Sequence, residues 1–309
     1  MKKLTTHNFA KACAYLQRQA RPLEQALFRY HFEDGPAPDV WQELAAFQNE
    51  DGGFGRALEP DLRTPTSSAL ATGNALRILA QTGAPAGYSQ AQEAVTYLEQ
   101  TLDQHSLTWR VAPLDTNDHP HAPWWHDQDG SLSATFDAYQ IIPRAELVAY
   151  LLHFSGPLRA SWLADVTEAA ILAVERLPLG GGGGDDLVYA IRLARAKGLS
   201  DADRARLLRR LCEVAPTAVT RDPLQWETYS IPPLKLAPTP QSPVADLFAD
   251  AVQQNLDFVI GKQTAEGYWD TTWTWGDFYP EFWPAARDEW RGEITLHNLL
   301  SLRAYRRII

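Results

Sequence analysis

Residues 41–55 read WQELAAFQNEDGGFG, and this stretch decides the fold. In its first half, Trp41, Leu44 and Ala45 have the spacing of one helix face. Its second half, residues 49–55, contains three glycines and an aromatic residue. This composition predicts a tight turn in which the aromatic side chain folds back onto the structure.

A second copy of this unit lies near the other end of the chain. Leu256, Val259 and Ile260 again mark a helix face, and residues 263–269 read QTAEGYW. Both copies contain a helix, a glutamine, a glycine and an aromatic residue in that order. Such recurrence predicts a repeat architecture.

Apolar periodicity predicts helices of two alternating kinds. Outer helices carry one apolar stripe, whereas inner helices are apolar nearly all round, as burial on two sides requires. The predicted outer helices are residues 8–19, 38–48, 88–104, 160–176, 201–215 and 244–262. The predicted inner helices are residues 21–32, 66–82, 143–155, 185–197, 226–236 and 293–306. The weakest is 226–236, because Pro232 and Pro233 interrupt it.

The connections between these helices differ in length. Links from an inner to an outer helix are short, as at 83–87 and 156–159, whereas the opposite links are long. The long links are 49–65, 105–142 and 263–292. In a ring of helical hairpins, the long links would all lie at one mouth, where function usually lies. The five glycines at 180–184 are interpreted as a hinge over that mouth.

The composition excludes several classes of protein. The 309 residues contain no polar linker that would divide them, which predicts a single domain, 1–309. The net charge of -10 argues against nucleic-acid binding. No apolar run approaches the roughly 20 residues of a transmembrane helix. Only two cysteines, Cys13 and Cys212, are present, which favours a cytoplasmic location.

Through these motifs the chain resembles the terpenoid cyclase and protein prenyltransferase superfamily. The resemblance is carried by Gln48 with residues 51–54 (DGGF), and by Gln263 with Gly267 and Trp269. Both are similar to the glutamine-to-tryptophan repeat of squalene cyclases, with phenylalanine replacing the first tryptophan. The resemblance implies an all-α (α/α)6 toroid of about six outer and six inner helices. It also implies a central cavity for an isoprenoid or another hydrophobic small molecule.

Two sequence signatures of that superfamily are missing. Cyclases protonate an alkene with the middle acid of Asp-x-Asp-Asp, and the nearest match here, residues 115–118 (DTND), has Asn117 at that place. An amide cannot donate this proton. Prenyltransferases hold zinc near the start of an inner helix, whereas Cys13 and Cys212 fall on predicted outer helices. We therefore expect no zinc site.

Acidic residues near the predicted starts of inner helices are the candidate catalytic groups. The helix dipole stabilises such acids by roughly 0.3–1 kcal/mol, so some have a structural reason to be there. A ring of acids could also supply a general acid, stabilise a cationic intermediate or hold Mg²⁺. The candidates are Glu59, Asp61, Glu146, Asp185 and Glu293.

Three groups of residues are candidates for contacting a ligand. The segment 118–129 is rich in histidine and tryptophan, and it reads either as a metal or acid–base site or as an ordinary loop. The segment 269–290 reads either as an aromatic wall or as an Ω-like loop packed on itself. Arginines could offset the acids. The candidates are Arg63, His119, His121, Trp124, Trp125, Arg144, Trp226, Tyr229, Trp273, Trp275, Trp283 and Trp290.

Three functions remain open at this point. The first is a cyclase-like or prenyltransferase-like protein with a hydrophobic ligand. The second is a carbohydrate-active enzyme with two carboxylates and stacking tryptophans, whose ligand is a sugar. The third is a toroid that binds a ligand or partner without catalysis. Aliphatic and aromatic walls around one acid would favour the cyclase-like protein. Two carboxylates in an open groove would favour the carbohydrate-active enzyme, and a centre filled by side chains would favour the non-catalytic toroid.

Overall fold

A computed structural model of the chain describes residues 1–130, 132, 140–155, 161–180 and 185–309. These residues form twelve α-helices and four short 3-10 helices, and their β-structure is limited to isolated bridges. The all-α class predicted from the sequence is therefore confirmed. None of the helices in these ranges has the length and apolarity of a membrane span. The predicted link 156–159 and the glycines 181–184 lie outside the described residues.

The α-helices are numbered in chain order. They are α1 (Thr6–Gln19), α2 (Pro22–Phe32), α3 (Ala37–Ala45), α4 (Ala69–Gln81), α5 (Ser89–Thr101), α6 (Arg144–Phe154), α7 (Ser161–Glu175), α8 (Asp186–Ala194), α9 (Asp201–Ala218), α10 (Pro233–Leu236), α11 (Ala249–Gly261) and α12 (Trp283–Ala304). Hydroxyl caps fix several starts. The side chains of Thr5, Ser68 and Ser200 accept hydrogen bonds from backbone N–H groups in the first turns of α1, α4 and α9.

Two predicted helices differ from the structure, and proline explains both differences. The segment 226–236 is broken into a 3-10 helix, Pro223–Glu227, and the single turn of α10. Pro232 and Pro233 lack the N–H groups that a continuous helix needs. By contrast, α12 begins at Trp283 instead of residue 293, because its proline lies in the first turn, where a missing N–H costs nothing. The last eight residues of the predicted loop 269–290 are therefore helical.

The even-numbered helices pack against one another. In chain order α4 contacts α6, α6 contacts α8 and α8 contacts α10, while α12 contacts α2. The odd-numbered helices flank them, so that α6, for example, also contacts α5 and α7. Each even-numbered helix therefore contacts at least two other α-helices among the described residues.

The first glutamine turn ties α3 to α5. Nε2 of Gln48 donates to the carbonyl oxygen of Gly52 at 3.0 Å and to that of Gln90, in α5, at 3.2 Å. Phe54 is fully buried, and its backbone N–H donates to the hydroxyl of Thr72 in α4 at 3.0 Å. The turn thus joins one outer helix to the next and to the inner helix between them.

The second glutamine turn repeats these contacts around α11. Nε2 of Gln263 donates to the carbonyl oxygens of Gly267 and Asn8, each at 2.9 Å. Trp269 is buried, and its backbone N–H donates to the hydroxyl of Thr295 in α12 at 3.1 Å. Because Asn8 belongs to α1, this copy joins the last outer helix to the first.

The two ends of the chain lie side by side. The backbone N–H of Leu4 donates to the carbonyl oxygen of Arg307 at 2.7 Å, and that of Ile309 donates to Leu4 at 3.1 Å. The carboxylate of Asp257 in α11 accepts from the Arg307 guanidinium and from the backbone N–H of Lys2, both at 2.7 Å. These contacts fasten both ends to α11.

Candidate functional site

Polar side chains from the even-numbered helices lie near one another and form what we call the central cluster. They come from α2, α4, α6, α8 and α12 and from the loop before α4, and several share a helix face through spacings of three or four residues. The cluster consists of Arg21, Glu24, Glu59, Asp61, Asn74, Arg77, Glu146, Tyr189, Arg192, Glu289, Glu293 and His297.

The surroundings of His297 differ from an ordinary surface. Half of its side-chain surface, 51%, is accessible. Burial nevertheless lowers the pKa of its imidazole to about 3, and the charges of Arg77 and Arg192 add to the shift. On an open surface, water would stabilise the charged imidazole and leave its pKa near the usual value. We infer that the accessible half of His297 borders a recess between the helices.

Glu59 is the carboxyl group that is most strongly disposed to keep its proton. It lies in the loop before α4, and Nδ2 of Asn74 donates to its Oε2 at 3.1 Å. Burial raises its pKa well above the usual glutamate value, and the negative charges of Asp61 and Glu293 raise it further. Glu59 therefore stays protonated at a pH where an ordinary glutamate has ionised. A group in this state can act as a general acid.

Asp61 lies two residues further on, in a different environment. Its side chain is 3% exposed and accepts a hydrogen bond from Nε1 of Trp275 at 2.7 Å. Burial raises its pKa to about 6, although the nearby indole N–H groups of Trp275, Trp290 and Trp273 oppose the rise. The N–H groups of Trp273 and Trp290 have no partner with hydrogen-bonding geometry among the described residues. Asp61 is thus poised to ionise near neutral pH.

Glu293 connects the two carboxyl groups to the rest of the cluster. It lies on α12, where its charge raises the pKa of both Glu59 and Asp61. Its Oε2 is 4.0 Å from the Arg21 guanidinium, and its Oε1 is 3.9 Å from Nδ1 of His297. Arg21 is itself held by a two-pronged ion pair with Glu24. Three carboxyl groups therefore share this side of the recess.

On α4, α6 and α8, by contrast, positively charged side chains outnumber the carboxylates of the cluster. Glu146 is 1% exposed, and its Oε1 lies 2.8 Å from the Arg192 guanidinium and 3.3 Å from Nε of Arg77. The Arg192 guanidinium also stands over the ring of Tyr189, 5.1 Å from its centre. Two cations share one carboxylate here.

Some of the predicted residues lie outside the cluster. Asp185 is 41% exposed, where Lys235 pairs with its carboxylate at 2.7 Å and the hydroxyl of Tyr229 lies at 3.3 Å. Trp226 is buried and donates from Nε1 to the carbonyl oxygen of Thr220 at 2.7 Å. These contacts give Trp226 a role in supporting its own loop.

The predicted histidine loop forms a hydrogen-bonded pair of rings. His121 is fully buried, with Nδ1 2.6 Å from the carbonyl oxygen of His119 and Nε2 3.1 Å from Nδ1 of His126. Burial lowers the pKa of His121. Trp124 is exposed, and Trp125 is buried beside the loop. Within the described ranges, no group of three or more metal-binding side chains is placed to hold an ion.

The predicted arginines anchor loops. Arg63 makes a two-pronged ion pair with Glu289, at 2.6 and 3.0 Å, which fastens the loop before α4 to α12. Arg144 is buried, and its guanidinium donates to the side-chain oxygen of Gln140 at 3.1 Å and to carbonyl oxygens of residues 106–107. The remaining aromatic candidate, Trp283, lies with its ring centre 5.6 Å from that of Trp275.

Sequence reasoning identified Glu59, Asp61, Glu146 and Glu293 and missed the other two acids and the three arginines of the cluster. Arg77 and Arg192 sit on α4 and α8, whose other residues are mostly apolar. A single polar residue on such a helix is a signal, because the flanking helices leave only the central side for a charge. Asn74 and Arg77, three residues apart on α4, illustrate the pattern.

Comparison of the chain with protein-family models, with curated proteins and with solved structures found no match. The chemistry of the recess therefore rests on its own geometry. It offers a carboxyl group that keeps its proton, a second one that ionises near neutral pH, and a cationic region beside an unprotonated imidazole.

Proposed function

We propose that the twelve helices close into an (α/α)6 toroid that forms one domain, residues 1–309. The contact of α12 with α2 and the glutamine turn that ties α11 to α1 support closure. The matching hydrogen bonds of the two glutamine turns support the resemblance to the terpenoid cyclase and prenyltransferase superfamily. The free cysteines, Cys13 and Cys212, are in keeping with a cytoplasmic location.

Within this toroid, we propose a carbohydrate-active enzyme that cleaves a glycosidic bond in the central recess. The observation that carries the proposal is the pair Glu59 and Asp61, two carboxyl groups two residues apart whose pKa values are both raised by burial. Enzymes assign acid and base roles to two carboxyl groups through such environments, and here Asn74 contacts Glu59 whereas indole N–H groups surround Asp61. A wall of charged side chains suits a ligand covered with hydroxyl groups better than a hydrocarbon, because the charges would lose their hydration against the latter.

The proposed reaction uses the proton of Glu59. Glu59 protonates the glycosidic oxygen as the bond from that oxygen to the anomeric carbon breaks. Asp61, ionised above a pH of about 6, removes a proton from the attacking water or attacks the anomeric carbon itself. In either case one water is consumed for each bond, and both carboxyl groups return to their starting states. The indole N–H groups near Asp61 hold its carboxylate in place.

A second candidate is an isoprenoid cyclase, which one observation favours. Glu59 keeps its proton beside a recess with indole side chains, and a protonated carboxyl group is what protonation of an alkene requires. Glu59 would then take the place of the acid that Asn117 cannot supply. The ligand in this case would be an isoprenoid, and the carboxylates could hold Mg²⁺ if it carried a diphosphate.

Incubation of the protein with mixed oligosaccharides, and separately with squalene and prenyl diphosphates, tests these proposals. We expect new reducing ends from the oligosaccharides, at a rate that falls at least about 100-fold in E59Q. E50Q changes an exposed glutamate of the first glutamine turn and should retain the rate. Equal rates for E59Q and the unchanged protein, or consumption of the isoprenoids alone, would refute the glycosidase proposal.

A further inference from the structure

The two arginines of the cationic region have only one carboxylate between them. Both guanidinium groups lie against the same oxygen, Oε1 of Glu146. Among the described residues, no other acidic side chain forms an ion pair with Arg77 or Arg192. Arg77 is also nine-tenths buried, and its Nε lacks a partner with hydrogen-bonding geometry in these ranges. The two positive charges therefore share the single negative charge of Glu146 as their ion-pair partner.

An imidazole lies close enough to these arginines to feel their charges. His297 on α12 has an accessible half, and it feels the charges of Arg77 on α4 and Arg192 on α8. The other ionisable groups around it are Glu293, on its own helix, and His31 on α2. Burial lowers the pKa of His31 to about 4, so this ring adds no charge at neutral pH. The imidazole of His297 is likewise unprotonated in the free protein.

We propose that Arg77, Arg192 and His297 form a subsite for the carboxylate of a sugar acid, such as a uronic acid residue of a glycan. The guanidinium fork matches the two oxygens of a carboxylate. Such a ligand supplies a second negative charge, whereas a neutral sugar leaves the two cations to share that of Glu146. His297 gains a proton and a partner when the carboxylate binds, since the added negative charge stabilises the imidazolium.

This inference rests on the proposed function, because Glu59 and Asp61 would then act on a bond of the sugar held by its carboxylate. The position of the acids also selects among anions. Glu293 lies 3.9 Å from Nδ1 of His297, so a dianion would meet more repulsion there than a singly charged carboxylate. A sugar acid presents one charge at one end and neutral hydroxyl groups elsewhere. A sugar acid and inorganic phosphate are both oxyanions, so the experiment uses them as separate probes.

The experiment follows the His297 ring by NMR in the full-length protein with labelled histidine, and H297Q identifies its signals. Glucuronate, glucose and inorganic phosphate are the three probes. We expect glucuronate to raise the pKa of His297 by at least about one unit and glucose to leave it unchanged. In R192Q, glucuronate binding should weaken at least about tenfold. R195Q, which changes an exposed arginine just after α8, should bind as before.

R192Q leaves Glu146 paired with Arg77, so no carboxylate is stranded. If R192Q does not fold, the test uses R192K, which keeps the positive charge and loses the forked guanidinium group. An unchanged His297 signal, equal responses to glucose and glucuronate, or a response to phosphate alone would overturn the subsite. Cleavage of neutral oligosaccharides without glucuronate binding would reject the subsite and keep the glycosidase proposal. Glucuronate binding without cleavage of any oligosaccharide would keep the subsite and reject the glycosidase proposal.

Discussion

The conflict between burial and ionisation at Asp61 is the clearest residue-scale feature of this protein. Its carboxyl group is almost inaccessible, which favours the protonated form, whereas the hydrogen bond from Trp275 favours the charged one. Burial prevails, and the pKa rises to about 6. A group kept in this state lowers the stability of the fold at the pH where it is charged, which is a common property of functional sites.

The variant D61N should therefore be more stable than the natural chain at pH 8. The native protein holds the Asp61 proton to a higher pH than the unfolded chain, from the usual 3.8 to about 6. Unfolding free energy consequently falls as pH rises through this window and stays lower above it. An asparagine does not ionise, so D61N should raise the unfolding free energy by about 1–3 kcal/mol at pH 8 and change it little at pH 4. Urea unfolding at both pH values measures the difference.

The matched control for this prediction is D118N, which changes an exposed aspartate of the 3-10 helix at Thr116–Asp118. It should alter stability little at either pH. A D61N variant that is no more stable than the natural chain at pH 8, or equally stabilised at pH 4, would contradict the account of Asp61.

The residues of the recess differ in how far the sequence could predict them. Glu59 and Glu293 lie near the predicted starts of helices 66–82 and 293–306, and this position alone marked them, although α12 begins ten residues before Glu293. Arg77 and Arg192 lie within α4 and α8, whose other residues are mostly apolar. Which side of such a helix faces the recess depends on its rotation against its neighbours. Packing sets that rotation, and a 3.6-residue pattern without a polar face does not reveal it.

At the scale of elements, the glutamine turn is the most sharply specified unit of the chain. Gly52 has a φ of 84°, and a Cβ there would lie 2.5 Å from the carbonyl oxygen of Glu93 in α5. Gly267 repeats both features, with a φ of 103° and a Cβ position 2.6 Å from the carbonyl oxygen of Lys11 in α1. Each glycine lets an outer helix approach the turn of the preceding one.

The variant G52A should lose at least about 3 kcal/mol of stability. Alanine would suffer both the left-handed backbone and the collision with α5, whose backbone cannot move aside cheaply. Gly83 offers a matched control, because its φ is 80° and a Cβ there meets nothing within 4 Å. G83A should cost only the backbone term, about 1 kcal/mol. Urea unfolding measures both losses. If G52A and G83A lose equal stability, the close approach of α5 is not the reason for a glycine at position 52.

Helix boundaries show where local sequence patterns stop being informative. Eleven of the twelve predicted segments follow clear apolar periodicity, and the structure has one α-helix over most of each. The start of α12 was not predicted, because Trp283 and Trp290 read as part of an aromatic loop. Trp290 contacts Trp273, with ring centres 5.2 Å apart, so its helical turn depends on a residue 17 positions earlier. This contact is part of the tertiary structure, so the local sequence pattern does not reveal it.

At the scale of the whole molecule, the decisive feature is the meeting of the two chain ends. An open array of helical hairpins leaves its first and last units with one neighbour each. Here α1 contacts both α2 and α12, and Arg307 is buried against Asp257 and Lys2. The first and last helices of the chain therefore contact each other, as the proposed closure into a toroid requires.

A circular permutant tests this property. Residue 309 is joined to residue 1 by a short glycine linker, and the chain is opened between Ala86 and Gly87, which are exposed. In a closed ring, the break moves from one hairpin boundary to another and no interface between hairpins is lost. We expect one cooperative urea transition with an unfolding free energy within about 2 kcal/mol of the natural chain.

Hydrogen exchange of the permutant separates closure from mere proximity of the ends. In a ring, α1 and α12 exchange as slowly as α6, because each has helical neighbours on both sides. If the hairpins form an open array whose ends only touch, the permutant opens the array in its interior, between α4 and α5. Two transitions would then appear, with α1 to α4 unfolding separately from α5 to α12. That outcome would refute the toroid, and with it the idea that the carboxyl groups and the arginines line one recess.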